Sequence, residues 1–345
     1  MREFCESMNS TSELAEVERG PVLEAAEPAS PARMKVGSPH KVLLHGLEFF
    51  CKKLPGAFQS DGWEIRHHSV QRLRSFAPLL RDLRAADLVF LWGSRISFGK
   101  FLRIARFFDK ENVVMFWAGS DVLGAQMQFS QGICEPWIAE RTHWAGAPWL
   151  RDEIRAIGLK CEFVPITWVP TVERPHPLPE RFSVLVYLPD AAHAPLYGLD
   201  RILHVARSLS HIPFELVGLT NGQIPNPPPN LKIQGRLVDM AEVYRRSSVY
   251  WRPVAHDGLS FMSLEAMSHG RHVIWSYSFP HCRQSGNVEA DRAEISRLYD
   301  QHERRQLQLN EPAIAMTAER YSLKAIRNDY LRRWEAIIAA PAKTR

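Results

Sequence analysis

The 345-residue chain lacks any apolar run approaching the roughly 18–20 residues needed to span a bilayer. Its opening, MREFCESMNS, has no apolar core of the secretory type, so neither a membrane span nor a signal peptide is expected. Cysteine is scarce and scattered. Cys5, Cys51, Cys134, Cys161 and Cys282 make an odd count with no C-x-x-C pair, which argues against a disulfide framework and against a zinc site. A reducing, cytoplasmic setting fits that usage. Strong charge of one sign is also missing: 43 Lys and Arg against 38 Asp and Glu leave +5. With no basic run, helix-turn-helix pattern or aromatic RNA platform, nucleic acid is not an expected partner.

What is present is a globular composition, 45% hydrophobic, with ten tryptophans. Residues 1–39 are rich in Glu, Ala, Ser and Pro without periodicity and read as a disordered leader. From Lys41 short apolar strands alternate with amphipathic helices. The strands are 41–47, 63–69, 87–92, 112–117, 141–147 and 161–166, and the helices are 48–60 (interrupted at Pro55-Gly56), 73–85, 98–109 and 149–157. That alternation predicts a doubly wound parallel sheet over residues 40–168. Residues 169–180, dominated by Pro170, Pro175, Pro177 and Pro179, read as a stiff linker. The alternation resumes over 181–311, predicting a second sheet of the same kind. Residues 312–345 are helical, with a break at Tyr321-Ser322.

The most informative stretch is 249–278, VYWRPVAHDGLSFMSLEAMSHGRHVIWSYS. It reads as strand, tight loop, helix capped by Ser260 and ended by Gly270, and strand, which makes a βαβ unit with parallel neighbours. Phe261, Met262, Leu264, Ala266 and Met267 give the helix little polar surface, yet Glu265 sits within it. A carboxylate there is costly unless satisfied. Asp257 lies eight residues earlier, and the helix N-terminus between the two acids favours a phosphate. Two readings are open. The acids hold hydroxyls at the two ends of a nucleotide-diphosphate sugar, or Glu265 caps a neighbouring backbone and Asp257 makes a turn before Gly258.

The run Asp257-Gly258-Leu259-Ser260, Leu264-Glu265-Ala266-Met267 and Gly270 resembles the acid-x7-acid signature of retaining glycosyltransferases of the GT-B fold, family 4 above all, with Asp in place of the usual first Glu. The resemblance extends over about residues 41–340 and is specific only at 249–278. It implies two Rossmann-like domains facing across a cleft, with the final helix crossing back onto the first domain. It also implies transfer of a sugar, without a metal or other cofactor, from a nucleotide-diphosphate sugar to a saccharide or lipid-linked acceptor. Asp257 and Glu265 would then be the central pair, with Gly258, Leu259 and Ser260 contacting phosphate or sugar. No D-x-D metal motif is present. Family members usually carry an Arg at the end of the first strand of the second domain and a Lys-Gly at its first helix. Here the matching residues are Tyr187-Leu188-Pro189 and Tyr197-Gly198. Arg201 and Arg252 are the candidate replacements.

Other candidates follow strand ends. Gly46 would let a ligand approach the backbone. Ser120 and Asp121 either contact sugar or cap the next helix. Gly235-Arg236 meets the nucleotide base or forms a simple turn with a solvated Arg. The histidine that many relatives carry near the fourth strand is not evident, and His45 and His143 are possible substitutes. Arg327, Arg332 and Arg333 are either a solvated face or a peripheral contact with anionic membrane on its inner side. Two other functions also fit the signature: another GT-B enzyme such as a UDP-sugar 2-epimerase, or a catalytically silent sugar-nucleotide-binding protein.

Overall fold

A computed structural model of the chain describes residues 38–46, 48–68, 76–220, 222–236 and 239–341. Residues 1–37 of the expected leader, Leu47 and the first residues of the 73–85 helix lie outside them.

The first sheet is built from β1 (His40–His45), α1 (Glu48–Ala57), β2 (Trp63–His68), α2 (Phe76–Ala85), β3 (Leu88–Trp92), α3 (Lys100–Phe107), β4 (Val113–Trp117), α4 (Ser120–Ser130), α5 (Pro136–Ala139), β5 (Thr142–Ala145), α6 (Pro148–Ala156) and β6 (Cys161–Phe163). Its six strands run parallel in the order β2-β1-β3-β4-β5-β6. β3 (LVFLW) and β4 (VVMFW) are buried at every position, as central parallel strands covered on both faces must be. The order reverses at β1, so the strand ends beside β1 and β3 form a crevice at the carboxyl edge.

The second sheet follows from β7 (Val184–Tyr187), α7 (Leu199–Ser208), β8 (Phe214–Val217), β9 (Leu231–Gly235), α8 (Met240–Arg245), β10 (Val249–Arg252), α9 (Phe261–Ser268), β11 (His272–Trp275) and β12 (Arg283–Gln284), with the order β12-β11-β10-β7-β8-β9. Helices α10 (Val288–Glu303), α11 (Glu311–Arg320) and α12 (Leu323–Ala339) complete the chain. The Ser322 hydroxyl caps α12 by accepting from the Ala325 N–H at 3.3 Å. α12 lies against the first sheet: Tyr330 donates to the Val164 carbonyl at 3.3 Å, and Trp334 is fully buried against Phe58 and Phe90. Each of the two sheets thus centres its own α/β domain.

Local chemistry explains the departures from expectation. α1 runs through Pro55 instead of breaking there. Pro55 is late in the helix, its missing N–H costs one bond, and the next turn is closed by the Phe58 N–H on the Leu54 carbonyl at 2.8 Å, with both side chains in the core. β12, only two residues long, has no periodicity from which to expect it. No helix among the described residues is long and apolar enough to cross a membrane.

Candidate active site

The βαβ stretch forms as its sequence dictates. β10 pairs with β11 in parallel, Val249 opposite His272 through Arg252 opposite Trp275. Ser260 caps α9, its hydroxyl accepting from the Ser263 N–H at 3.1 Å. Ser260, Phe261 and Met262, at the start of α9, line a cavity of about 690 Å³ between the two sheets. The positive end of the helix dipole therefore faces that space.

Within the cavity one cation is deeply set. Arg252, at the end of β10, donates from Nε to Asp257 Oδ2 at 2.5 Å and from Nη2 to Oδ1 at 3.0 Å, and from Nη1 to the Tyr250 hydroxyl at 3.1 Å. Its guanidinium sits 5.1 Å from the Tyr197 ring centre and 6.0 Å from that of Tyr187. Burial acts to lower the Arg252 pKa, but Asp257 and Tyr250 outweigh it and hold the value well above the ordinary range, so the group stays charged. Arg236, after β9, also lines the cavity, is exposed, and makes no ion pair with the described residues.

Glu265 lies deeper along α9, outside the cavity wall. Its Oε2 accepts from the Tyr244 hydroxyl of α8 at 2.8 Å. Burial raises the Glu265 pKa, and the Tyr244 hydrogen bond opposes that rise. Asp257, Gly258, Leu259, Ser260, Arg236 and Arg252 are thus brought together around one cavity, with Glu265 one helical turn behind.

Five other expected residues stand apart from it. Arg201, on α7, pairs with the fully buried Asp291 at 2.6 Å, and Ser285 donates to the same carboxylate at 2.8 Å. That pair staples α7 to α10 and leaves Arg201 out of the cavity lining. Asp121 accepts from the N–H groups of Ala118 and Gly119, at 3.1 and 2.7 Å, and of Ser94 at 3.2 Å, so it closes the β4–α4 turn. Ser120 opens α4 and is exposed. Gly46 has φ +129°, and a Cβ there would lie 1.8 Å from the Trp92 carbonyl oxygen. It is needed for packing of strand ends, not for ligand approach. Gly235 ends β9 with its carbonyl accepting from the Gly218 N–H at 2.8 Å, and it is not in the cavity wall, whereas its neighbour Arg236 is.

Neither histidine replaces the missing one. His45 stacks on Phe101 at 3.8 Å and bonds the His68 carbonyl. His143 is buried in β5, accepting at Nδ1 from the Trp117 indole N–H at 3.2 Å and donating from Nε2 to the Ile138 carbonyl at 3.0 Å. Of the three tail arginines, Arg332 and Arg333 pair with Asp329, and Arg333 also with Glu162.

Sequence reasoning missed how the first domain grips the 256–259 loop. The Trp149 indole N–H donates to the Asp257 carbonyl at 2.7 Å, Glu153 meets His256 at 2.9 Å, and the Thr167 hydroxyl donates to the Leu259 carbonyl at 3.0 Å. A Cβ on Gly258 would lie 2.0 Å from the Ala118 carbonyl oxygen, so only glycine fits that approach. No local pattern signals partners so distant along the chain.

No protein-family model and no curated protein matches the sequence. Solved structures do. The chain is similar to sucrose-phosphate synthase from Thermosynechococcus elongatus at 11% identity and TM-score 0.63, over 87% of this chain and 99% of that one. It is similar to Anabaena Alr3699/HepE, in complex with UDP and glucose, at 11% identity and TM-score 0.64, over 86% and 100%. A glycosyltransferase from Rickettsia africae matches at 10% identity and TM-score 0.61, over 87% and 99%. Likeness at such identity establishes architecture. The chain has the GT-B fold of these glycosyltransferases, two parallel-sheet α/β domains matched along their whole length.

Proposed function

We propose that the chain is a retaining glycosyltransferase that moves a sugar from a nucleotide-diphosphate sugar to a saccharide or lipid-linked acceptor. The observation that carries the reading is the convergence of a buried guanidinium, Arg252, and the N-terminus of α9 on one cavity between the sheets. Both stabilise the negative charge that develops on a departing diphosphate. The volume, about 690 Å³, lies within the usual range for small-ligand sites. UDP-glucose, bound in a HepE structure, is the first donor to try.

In this reading Arg252 and Arg236 hold the diphosphate, and the 258–260 backbone donates to phosphate or sugar. Asp257 orients sugar hydroxyls, and Glu265, half-buried one turn behind the cavity wall and steadied by Tyr244, takes those of the ribose where the nucleotide extends past that wall. The wall contributed by the first domain, with Trp92, Phe116 and Thr167, faces the acceptor side. An acceptor carried on lipid is supported by the exposed apolar residues Leu123, Met127, Phe129 and Ile133 on and just after α4. The only charge in residues 120–133, Asp121, is spent in its turn. Sedimentation with anionic vesicles tests that membrane contact, and a protein left in the supernatant refutes it.

The test of function is incubation with UDP-sugars and saccharide or lipid-linked acceptors, following UDP release and the anomeric configuration of the product by NMR. Transfer with retention is expected; inversion, or epimerised free sugar, contradicts the proposal. One observation favours a silent binder: the charge of Arg252 is already neutralised by Asp257. Nucleotide binding without turnover on any acceptor would establish that second reading.

A further inference from the structure

Both backbone polar groups of Asp257 are held by aromatic side chains. Its N–H donates to the Tyr277 hydroxyl at 3.0 Å, and its carbonyl accepts from the Trp149 indole at 2.7 Å. The two rings stack face to face, centres 4.0 Å apart and planes 10° apart, and Trp275 packs edge-on against Trp149 at 5.1 Å. Tyr277 follows β11 in the second domain, while Trp149 is on α6 in the first. One turn further along α6, Glu153 holds His256. With the carboxylate itself fixed by Arg252, Asp257 has a single orientation, and one of the groups that sets it belongs to the opposite domain.

We propose that Trp149 and Tyr277 are positioning residues: the stacked pair brackets the Asp257 peptide, and its carbonyl is held only while the two domains are closed. Closure then completes the set of restraints that Arg252 and Tyr277 begin within the second domain. When the domains part, Trp149, Glu153 and Thr167 withdraw together and the 256–259 loop loses its partners on that side. Group-transfer chemistry is sensitive to such placement, because small misorientations of a contacting group reduce rate more than affinity. The inference rests on the transferase reading for its catalytic consequence and on geometry alone for the clamp.

The experiment uses the full chain and the variants Trp149→Phe and Tyr277→Phe, which keep a ring while removing one hydrogen-bonding group. Amide exchange over residues 256–259, melting temperature, UDP-glucose affinity by calorimetry and kcat are measured on each. Each variant is expected to speed exchange at Asp257 and lower kcat by about tenfold, with affinity changed by less than about twofold. The double variant should lose little more than either single one, since both act on one peptide. Unchanged exchange in both variants overturns the clamp. Exchange raised throughout the second domain, with activity falling only as far as melting does, overturns it in favour of general support. If wild-type protein binds no nucleotide sugar, the transferase reading fails, and exchange at Asp257 alone then decides whether the clamp exists.

Discussion

Arg252 and Asp257, five residues apart, face each other in two parallel hydrogen bonds of 2.5 and 3.0 Å at the mouth of α9. The turn between β10 and α9 folds back so that the candidate acid and the deepest cation of the cleft form one unit. In the proposed reading a diphosphate entering beside α9 would meet a guanidinium already aimed and charged, with acceptor capacity left on Asp257 for sugar hydroxyls.

Replacing Arg252 with Gln leaves the Asp257 carboxylate without its charge partner in a largely buried place, the two side chains being 7% and 12% exposed. Losing one member of such a pair costs about 3 kcal/mol of stability. Nucleotide affinity should fall as well. Urea unfolding and calorimetry check the two effects. Unchanged affinity in folded R252Q would remove Arg252 from the donor site.

Glu265→Ala should abolish most donor binding while the protein remains folded, because the carboxylate is assigned to ribose and its loss takes one hydrogen bond from the Tyr244 hydroxyl and a charge neighbour from Lys53. Tyr244→Phe, which keeps the acid but loosens it, should weaken binding by about fivefold, the worth of one ordinary hydrogen bond. Equal affinities in all three proteins would return Glu265 to a structural role.

Gly258→Ala places a methyl group 2.0 Å from the Ala118 carbonyl oxygen. The contact lies between the domains, so the expected relief is separation of the two sheets with each domain still folded. Small-angle scattering should show a larger radius of gyration, accompanied by loss of nucleotide binding. A G258A protein as compact as wild type, with normal binding, contradicts the closed geometry.

His143 supplies a pH signature. Desolvation in β5 is the main cause that lowers its pKa from 6.5 to about 4, and the hydrogen bond to Ile138 only partly opposes it. The folded state therefore binds fewer protons than the unfolded state between those values. Stability is fully present above about pH 6.5 and falls as pH drops towards 4, by about 3 kcal/mol from this group. Protonation would also turn Nδ1 into a donor facing the Trp117 N–H. Urea unfolding at pH 7 and pH 4.5 should show that loss, and His143→Gln should flatten it.

Much of the fold was legible because its signals are local. Apolar strands alternating with amphipathic helices predict two parallel sheets, and Ser260, Gly270 and the Tyr321-Ser322 break mark helix ends that the structure shows at those positions. The sequence marks the 257–265 stretch because an acid inside an apolar helix demands a reason, and the structure brings Asp257 to the cavity while Tyr244 holds Glu265 behind its wall. What escaped depends on partners far apart in sequence. The sequence offers Arg201 as a ligand contact, but Asp291, ninety residues on, claims it. Trp149 looked like an ordinary helix residue, and its role comes from a carbonyl 108 residues away. Asp121 had two readings that differ only in whether its carboxylate turns back to its own turn, and it does.

The most direct test is the melting temperature of wild-type protein and R252Q with UDP, GDP, ADP and dTDP at millimolar concentration. A ligand bound only by the folded state at a hundred times its Kd adds about 2.7 kcal/mol. A rise of a few degrees is expected with one nucleotide in wild type and none in R252Q. No rise with any nucleotide, or an equal rise in both proteins, would contradict a donor site built on Arg252 and the start of α9.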